Sequence, residues 1–428
     1  TSPPSDAREM SSKRKRSRSI LTTLMLRKRL EETPKVVDTP AGYPGHLTPQ
    51  ELDACLEFRR RLKEGDRVYR DMVGCFSDVE EEAYAVCRYM RARKFDVDRA
   101  FQMMKERSEL WKGGAARDFF PAASDAIGGA PESALLTQFP LVLGRTARNA
   151  CPLIYFRVRK LRIEGIECVT SLDDIPSYVW HLAVHKLKRH IAQVLANDPS
   201  KFVRTQLMVV FDLDGLAIST LRSAMGALQG ALQVLGVFPE FLFNVVILNV
   251  PGFFGAFWPV IRNFLDPDTA KKFELYSNGA NGRERLLELV EPEDLASDFG
   301  GEAPSTEIEV ARQGEGGQNI DRRVVELLTV RKRGEGLCKF QLGASENASV
   351  SIYTKAHEGA DIHLREDGKS EPIAVVSMTR NEGKPAGSAF FRNICSSLQG
   401  PGKYQIGIKR NSGPASEHFL VIADISCE

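Results

Sequence analysis

The sequence predicts an α/β domain with a largely parallel sheet and an N-terminal helical cap, followed by an all-β antiparallel sandwich. In the middle of the chain, short aliphatic and β-branched runs alternate with helical patterns, which indicates parallel strands joined by helices. After residue 320 the pattern changes to short alternating runs separated by turn residues, which is typical of a small sandwich. The chain has 428 residues, enough for two or three domains with real cores.

The central feature is an uncharged run of 21 residues, 241–261, with the sequence FLFNVVILNVPGFFGAFWPVI. Its length alone would make it a candidate membrane span. However, Asn244 and Asn249 bracket a short β-branched run that reads as a strand buried on both faces. Pro251 and Gly252 then end the strand, and an apolar helix follows. The run therefore predicts a strand, a turn and a helix.

The helix after Gly252 is apolar nearly all round. It must be buried in a core, cover an apolar cavity or meet a bilayer, and the core helix remains an open alternative. At helical spacing, Phe253, Phe257, Ile261 and Phe264 share one face, while Phe254, Trp258 and Leu265 share the next. We expect the residues that line or close a pocket to be Phe253, Phe254, Phe257, Trp258, Ile261 and Phe264.

Residues 266–269 (DPDT) read as a helix start, with Asp as the cap and Pro at the first position. Lys271 and Lys272 should then lie within the first two turns. Free backbone N–H groups, a hydroxyl and two ammonium groups at one helix N-terminus would suit a phosphate.

The other predicted elements complete this alternation. Strands are expected at Leu153–Val158, Leu207–Leu213 and 273–276, with helices at 79–93, 96–112, Ile175–Ala196 and Thr220–Leu235, and with loop over 113–152. In the C-terminal part, strands are expected at Gly336–Leu342, Val350–Tyr353, Ile373–Met378, Tyr404–Ile408 and Phe419–Ile425.

The run FPEFLFNVVILNVPGFFGAFWPVIRNFLDPDTAKKFELYS resembles the core of the CRAL-TRIO lipid-binding family, of the secretory-pathway phosphatidylinositol transfer type. The phrase RYMRARKFDVDRAFQMMKERSELWK resembles the helical section that precedes the lipid domain in that family, and residues 297–301 resemble its closing signature. GEGLCKFQLG and PGKYQIGIKRNSG resemble the Golgi-dynamics (GOLD) domain, although Cys338 or Lys339 replaces the aromatic residue usual in the first motif.

The resemblance implies a cytosolic protein that binds phosphatidylinositol and transfers it between membranes, with the 252–265 helix as a gate. It assigns the headgroup site to Arg93, Lys94, Glu240, Asp268, Thr269 and Lys272. Leu207 and Val209 replace the Ser and Thr of members that bind choline lipids, so a second, choline-lipid ligand is not expected. A sterol or a tocopherol-like molecule remains an alternative ligand. No cofactor is expected beyond the bound lipid.

Two other classes of function stay open. Residues 209–215 (VVFDLDG) resemble the first motif of magnesium-dependent phosphatases, with Asp212 as nucleophile and Asp214 as acid or base, but Leu216 departs from that pattern. The chain could also be an adaptor that acts through the sandwich. His181 and His185 lack the Glu of a zinc motif, and no metal site is predicted. We expect a protein that is not an enzyme.

Composition and charge set the remaining expectations. Eight scattered cysteines without a CxxC pattern indicate a reduced, cytoplasmic protein. A net charge of +2 gives no reason to expect nucleic acid, although residues 13–16 (KRKR) would suit anionic lipid or nuclear import. Partners should be a phospholipid, a transient membrane surface and a protein at the sandwich. The expected divisions are a basic disordered tail (1–45), an N-terminal helical region (46–112), a lipid-binding domain (113–302), a linker (303–322) and a GOLD-like sandwich (323–428).

Overall fold

The computed structural model describes residues 22–32, 41–198, 202–308, 320–355, 359–377, 390–412 and 415–427. An N-terminal helical region comes first, and its helices are α1 (Pro49–Glu64), α2 (Arg67–Val73), α3 (Glu82–Arg91) and α4 (Val97–Ala115). The Thr48 side chain caps α1 in a reciprocal capping box with Glu51, as the TPQE sequence predicts. Asp96 caps α4.

The α/β domain follows and contains a five-stranded sheet in the order β1-β2-β3-β4-β5. Its elements are α5 (Ala123–Ala126), α6 (Glu132–Leu136), β1 (Leu141–Thr146), β2 (Pro152–Arg157), α7 (Ile163–Val169), α8 (Ile175–His181), a π-helical turn (Leu182–Lys186), α9 (Leu187–Asn197), β3 (Leu207–Asp212), α10 (Ile218–Leu235), β4 (Leu242–Leu248), α11 (Phe254–Arg262), α12 (Pro267–Ala270), β5 (Phe273–Leu275) and α13 (Gly279–Leu289). Strands β2 to β5 pair in parallel, and β1 pairs antiparallel to β2. The expected largely parallel sheet is confirmed.

The two faces of this sheet bury different sets of residues, because side chains alternate along a strand. Met208 and Val210 of β3 pack with Phe299 and Leu286 in a closed core. Leu207, Val209 and Phe211 point to the opposite face, where α7 to α11 lie. One face of the sheet therefore packs against a closed core, and the other face borders an apolar cavity.

Strand β1 lies within residues 113–152, which the sequence predicts as loop. Its sequence, LVLGRT, contains Gly144 followed by the charged Arg145, so the alternation of apolar residues that predicts a strand is weak. Tyr155 of β2 covers Gly144, because a Cβ atom there would lie 2.5 Å from the ring. The strand therefore depends on pairing with β2.

The C-terminal part forms two four-stranded antiparallel sheets, which confirms the expected all-β fold class. Their orders are β10-β9-β12-β7 and β11-β8-β13-β6. The strands are β6 (Arg322–Arg331), β7 (Glu335–Leu342), β8 (Glu346–Thr354), β9 (Ala360–Glu366), β10 (Ala374–Ser377), β11 (Phe390–Gln399), β12 (Gly402–Arg410) and β13 (Ser416–Cys427). Strands β6, β9 and β11 have no counterpart among the predicted strands, since charged and small residues interrupt their apolar alternation.

Strand β13 is buried on both faces, and its two faces belong to two different cores. Phe419 and Val421 lie between the two sheets of the sandwich. Leu420 and Ile422, on the other face, join the core of the α/β domain together with Tyr353 of β8. Helix α7 contacts both strands there. The sandwich therefore packs directly on the helix that forms one wall of the ligand cavity.

The N-terminal tail requires a correction. Residues 22–31 form a helix inside the region predicted as disordered, and Leu26 and Leu30 are buried against the helical region. Tyr43 is also buried, with 4% of its surface exposed. Leu24 and Met25 on that helix remain exposed. The KRKR run and most of the predicted linker lie outside the described residues.

Candidate functional site

An apolar cavity of about 290 Å³ lies between the open face of the five-stranded sheet and the helices. The sheet contributes alternate residues from all five strands, as the two-residue period of a strand requires. These residues are Leu141, Leu143, Ile154, Phe156, Leu207, Val209, Phe211, Leu242, Val245, Ile247 and Phe273. Leu207 and Val209, where choline-lipid binders carry hydroxyl groups, thus face the cavity with hydrocarbon only.

Helix α10 forms a wall with small side chains. Ala224, Ala227 and Ala231 line the cavity at helical spacing, and their size leaves space between the helix and the sheet. The helix also approaches α8 closely, because a Cβ atom on Gly230 would lie 2.5 Å from Cγ of Pro176. The Leu/Ala/Gly composition of α10 therefore serves both helix packing and cavity volume.

The predicted pocket residues of α11 divide into two sets. Phe254, Trp258 and Ile261 line the cavity, in agreement with their spacing of three and four residues. Phe253, Phe257 and Phe264 are not among the lining residues. The helix begins at Phe254, so Phe253 precedes it and Phe264 follows its end, while Phe253 and Phe257 contact each other. The inward face therefore combines Phe254 and Trp258 of the second predicted face with Ile261 of the first.

One charged residue, Lys186, lies in the wall of the cavity. It belongs to the π-helical turn, a local widening of the helix that is frequent at functional sites. Its Nζ lies 2.7 Å from Oε1 of Glu132, which also accepts a hydrogen bond from the Tyr178 hydroxyl. Glu132 and Lys186 are both at least nine-tenths buried. Nothing in the sequence pattern singled out this buried pair.

Two of the predicted headgroup residues form an ion pair at the start of β4 and β5. Lys272 Nζ lies 2.9 Å from Oε2 of Glu240 and 2.8 Å from the Leu242 carbonyl oxygen. Each side chain is about one-fifth exposed. Glu240 has a φ of 55°, a conformation that non-glycine residues rarely adopt and that occurs often at functional sites.

Three more predicted residues, Arg93, Lys94 and Asp268, line a second cavity of about 540 Å³ between α4 and the Asp266–Lys271 segment. Arg93 lies 3.4 Å from Asp266, and Lys94 has a φ of 52°. A hydrogen bond from Lys271 lowers the pKa of the Asp268 carboxyl group. Arg99 and Lys271 also line this cavity. The sequence pattern placed Lys271 at the expected phosphate site but did not identify Arg99.

The predicted helix start at Asp266 is present, but the helix is shorter than expected. Helix α12 ends at Ala270, so Lys271 and Lys272 lie outside it, and the Asp266 side chain already accepts the Asp268 N–H. Thr269 lies within this helix. A helix of four residues has almost no macrodipole, so the expected phosphate-binding helix N-terminus is wrong in that respect. The positive charge near this segment therefore comes from side chains and not from the helix dipole.

The aspartates of the phosphatase-like motif have structural partners. Asp212 Oδ1 accepts hydrogen bonds from Asn249 Nδ2 at 2.7 Å and from the Asp214 N–H at 3.1 Å, which closes the turn after β3. Asp214 pairs with Arg159 at 3.0 Å. Among the described residues, no group of three His, Cys, Asp or Glu side chains could hold a metal ion.

The histidines predicted to be ordinary helical residues make backbone contacts. His181 Nδ1 lies 2.7 Å from the Phe120 carbonyl oxygen, and His185 Nε2 lies 2.6 Å from that of Asp118. All eight cysteines are unpaired. Within the described ranges, no helix is both long enough and apolar enough to cross a bilayer.

The fold encloses an apolar cavity of the kind that suits a hydrophobic ligand. Residues 137–301 match the model of the CRAL/TRIO domain, and residues 57–106 match that of the CRAL/TRIO N-terminal domain. The chain belongs to the CRAL/TRIO lipid-binding family.

Relatives and solved structures give the following similarities. The chain is 26% identical over 273 residues to the SEC14 cytosolic factor of Yarrowia lipolytica, covering 62% of this chain and 51% of that protein. It is 24% identical over 274 residues to the SEC14 cytosolic factor of Eremothecium gossypii, covering 63% of this chain and 82% of that protein. The chain thus spans about half the length of the first relative. The crystal structure of Sfh5 matches 61% of this chain and 91% of its own, with 14% identity and a TM-score of 0.43.

Proposed function

We propose that this protein binds a single phospholipid, with phosphatidylinositol as the favoured ligand, and transfers it between membranes without covalent chemistry. One observation carries the proposal. Glu240 and Lys272 form an ion pair, and the residues that follow them, Phe241, Leu242 and Phe273, line the apolar cavity. A charged site and a hydrocarbon-lined cavity are therefore adjacent along two neighbouring strands, which suits a ligand with a polar head and apolar tails.

The proposed headgroup site contains basic and acidic side chains, which would bind different parts of the headgroup. Lys272 and Arg93 would attract the phosphate, and Thr269 would donate a hydroxyl hydrogen bond. Glu240 would accept hydrogen bonds from inositol hydroxyl groups, for which a carboxylate is a suitable partner. Lys94 and Asp268 line the outer cavity, where Arg99 and Lys271 add further positive charge.

The energetics of the tails explain why a carrier is needed. Burial of an acyl chain is worth about 0.8 kcal/mol per methylene, so ~30 methylenes hold a two-chain lipid in a bilayer by about 24 kcal/mol. Spontaneous escape across a barrier of that size takes on the order of a day. A carrier must therefore accept the tails directly from the bilayer into a cavity of comparable polarity. The cavity described here has hydrocarbon on nearly every wall.

The size of the cavity supports a gate. A volume of 290 Å³ corresponds to about ten water molecules, and ~30 methylenes need considerably more space. We therefore infer that ligand uptake widens the cavity by movement of α11. This helix supplies Phe254, Trp258 and Ile261 to the inner wall, while Val260 on its outer side is 45% exposed. An exposed apolar side chain on a gate suits transient contact with a membrane surface.

The compartment, the partners and the division into domains follow as part of the same proposal. The relatives named above are called cytosolic factors, which supports a cytoplasmic protein with peripheral membrane contact. The antiparallel sandwich over 323–428 is proposed to be a GOLD-like domain that binds a protein partner. The helical region, the lipid-binding domain and the linker are proposed with the boundaries given above.

Native mass spectrometry of the purified protein tests the ligand. We expect a complex heavier than the chain by one phosphatidylinositol, and vesicle assays should show transfer of that lipid between donor and acceptor membranes. A co-purified sterol or tocopherol-like molecule would contradict the headgroup assignment while leaving the cavity in place. An empty protein that takes up no lipid would indicate an adaptor.

A separate measurement tests the absence of catalysis. Magnesium-dependent hydrolysis of an aryl phosphate, lost in Asp212→Asn, would contradict the proposal of a non-enzymatic carrier. We expect no such activity, because Asp212 and Asp214 are engaged by Asn249 and Arg159.

A further inference from the structure

A buried arginine outside the headgroup site lacks a partner for two of its nitrogens. Arg204 precedes β3 and is 3% exposed. Its Nε donates to the Asn149 carbonyl oxygen at 2.7 Å, but its terminal nitrogens, Nη1 and Nη2, have no hydrogen-bond partner in the described part of the chain. A buried guanidinium group with unmade hydrogen bonds is strongly unfavourable, and an anion is the acceptor that would also neutralise its charge. The side chain lines a cavity of about 390 Å³.

A second arginine strengthens the positive charge at the same place. The guanidinium carbons of Arg91 and Arg204 lie 3.5 Å and 4.7 Å from the centre of the Tyr43 ring. Both arginines line the cavity. Arg91 donates to the Gly42 carbonyl oxygen, and neither arginine has a carboxylate within 4.0 Å among the described residues. Two like charges beside one ring repel each other unless an anion lies between or beside them.

In the part of the chain that the structure describes, no carboxylate supplies that anion. Glu80 pairs with Arg88 at 2.8 Å and accepts from the Thr205 hydroxyl group, and Asp78 pairs with Lys188 at 3.2 Å. Glu81, the third carboxylate in the cavity wall, is exposed.

Two weaker acids near the arginines also stay neutral. Burial raises the pKa of Tyr43, and burial raises the pKa of Cys151 to about 12. Neither the phenol nor the thiol is therefore ionised near pH 7.

We propose that this cavity is a second anion-binding site that takes a phosphate group through the terminal nitrogens of Arg204, assisted by Arg91. The fork of a guanidinium group matches two oxygens of a phosphate, and the cavity has room for a phosphate ester. The site does not depend on the proposed lipid carriage. The phosphate can belong to a soluble ester or to a lipid headgroup, and the chemistry of recognition is the same.

A chain of hydrogen bonds connects this site to the ion pair of the proposed headgroup site. The Tyr43 hydroxyl donates to Gln206 Oε1 at 2.6 Å, and Gln206 Nε2 donates to the Glu240 carbonyl oxygen at 2.9 Å. Glu240 in turn pairs with Lys272. The two sites are therefore joined through two side chains, Tyr43 and Gln206.

Thermal unfolding of the full chain in inorganic phosphate, against chloride at equal ionic strength, tests the proposal. Phosphate should raise the unfolding midpoint of the wild type, because a ligand that binds only the folded state stabilises it. Arg204→Met keeps the side-chain length, and it should abolish the phosphate effect while tolerating the absence of phosphate as well as the wild type does. Arg60→Gln, at an exposed arginine of α1 that pairs with Glu57 and Glu64, is the matched control and should keep the effect.

A lipid-borne phosphate is tested by sedimentation with phosphatidylcholine vesicles that contain phosphatidic acid. Binding of the wild type that weakens at least about tenfold in Arg204→Met would support the site with a lipid as the source. If Arg204→Met does not fold, Arg91→Gln replaces it and should weaken binding in the same direction. Equal responses of the wild type and the variants in both assays, or no response of the wild type in either, would overturn the proposal.

Discussion

Lys272 Nζ lies 2.9 Å from Oε2 of Glu240, and this ion pair connects the starts of two neighbouring parallel strands. Glu240 precedes β4 and Lys272 precedes β5. Since the pair is about four-fifths buried, each charge depends on the other. A phosphate that approached Lys272 would compete with Glu240 for its ammonium group.

Lys272→Ala should lower phosphatidylinositol transfer between vesicles about tenfold, because one charge-assisted hydrogen bond to phosphate is worth about 1.5–3 kcal/mol. Its unfolding free energy should fall by about 3 kcal/mol, since the largely buried Glu240 carboxylate is left without its partner. Lys112→Ala removes an exposed lysine that pairs with Glu109 and should transfer as the wild type does. Unchanged transfer by Lys272→Ala would remove this residue from the headgroup site.

Ala227→Phe should block lipid uptake without unfolding the protein. Ala227 faces the apolar cavity from α10, so a phenyl ring there occupies the space of the acyl chains. The matched control is Gly226→Ala in the same helix, where an added Cβ meets no atom within 4 Å. The control should raise the unfolding free energy by about 1 kcal/mol and leave uptake unchanged. Normal uptake by Ala227→Phe in a native mass spectrum would contradict the location of the tails.

Leu420→Ala should increase the rate at which bound lipid is released. Leu420 is fully buried between β13 and the α/β domain, and α7, which carries the cavity residue Ile166, packs on that strand. The substitution should cost about 2–5 kcal/mol of unfolding free energy.

Leu364→Ala separates this effect from general destabilisation. Leu364 is equally buried, but it lies between the two sheets of the sandwich and away from α7. We expect a similar loss of unfolding free energy with release at the wild-type rate. Equal release by the two variants would show that the contact with the sandwich does not reach the cavity.

The unfolding free energy should decrease as the pH falls from about 6.5 to about 4. Burial lowers the pKa of His190 to about 4, whereas an unfolded histidine titrates near 6.5. The unfolded state therefore binds a proton in this range that the folded state does not, and stability is complete above it. His190 lines a polar cleft with Arg145, Lys186, Arg189, Glu132 and Asp294. In denaturant titrations, His190→Gln should show a shallower dependence on pH, and an unchanged slope would contradict the assignment.

Local patterns were enough to predict the strand, turn and helix of residues 241–261. The asparagines and the Pro-Gly pair interrupt the run, and the structure ends β4 at Leu248 and begins α11 at Phe254. The face of α11 that points inward was not predictable, because both of its faces are apolar and only contact with β4 and β5 chooses between them. Strand β1 was not predictable either, because it forms a strand by pairing with β2 and its own sequence has weak apolar alternation.

The sequence by itself determined the fold class, most helices and the central strands of the α/β domain, and the family, because apolar periodicity, caps and motifs are local properties of the chain. Only the tertiary structure decided which charges meet. Lys186 reaches Glu132 across 54 residues, and Tyr43 reaches Gln206 across 163. Such contacts form where distant elements pack, and no spacing along the chain encodes them. Likewise, only the folded structure shows that Nη1 and Nη2 of Arg204 lack hydrogen-bond partners among the described residues.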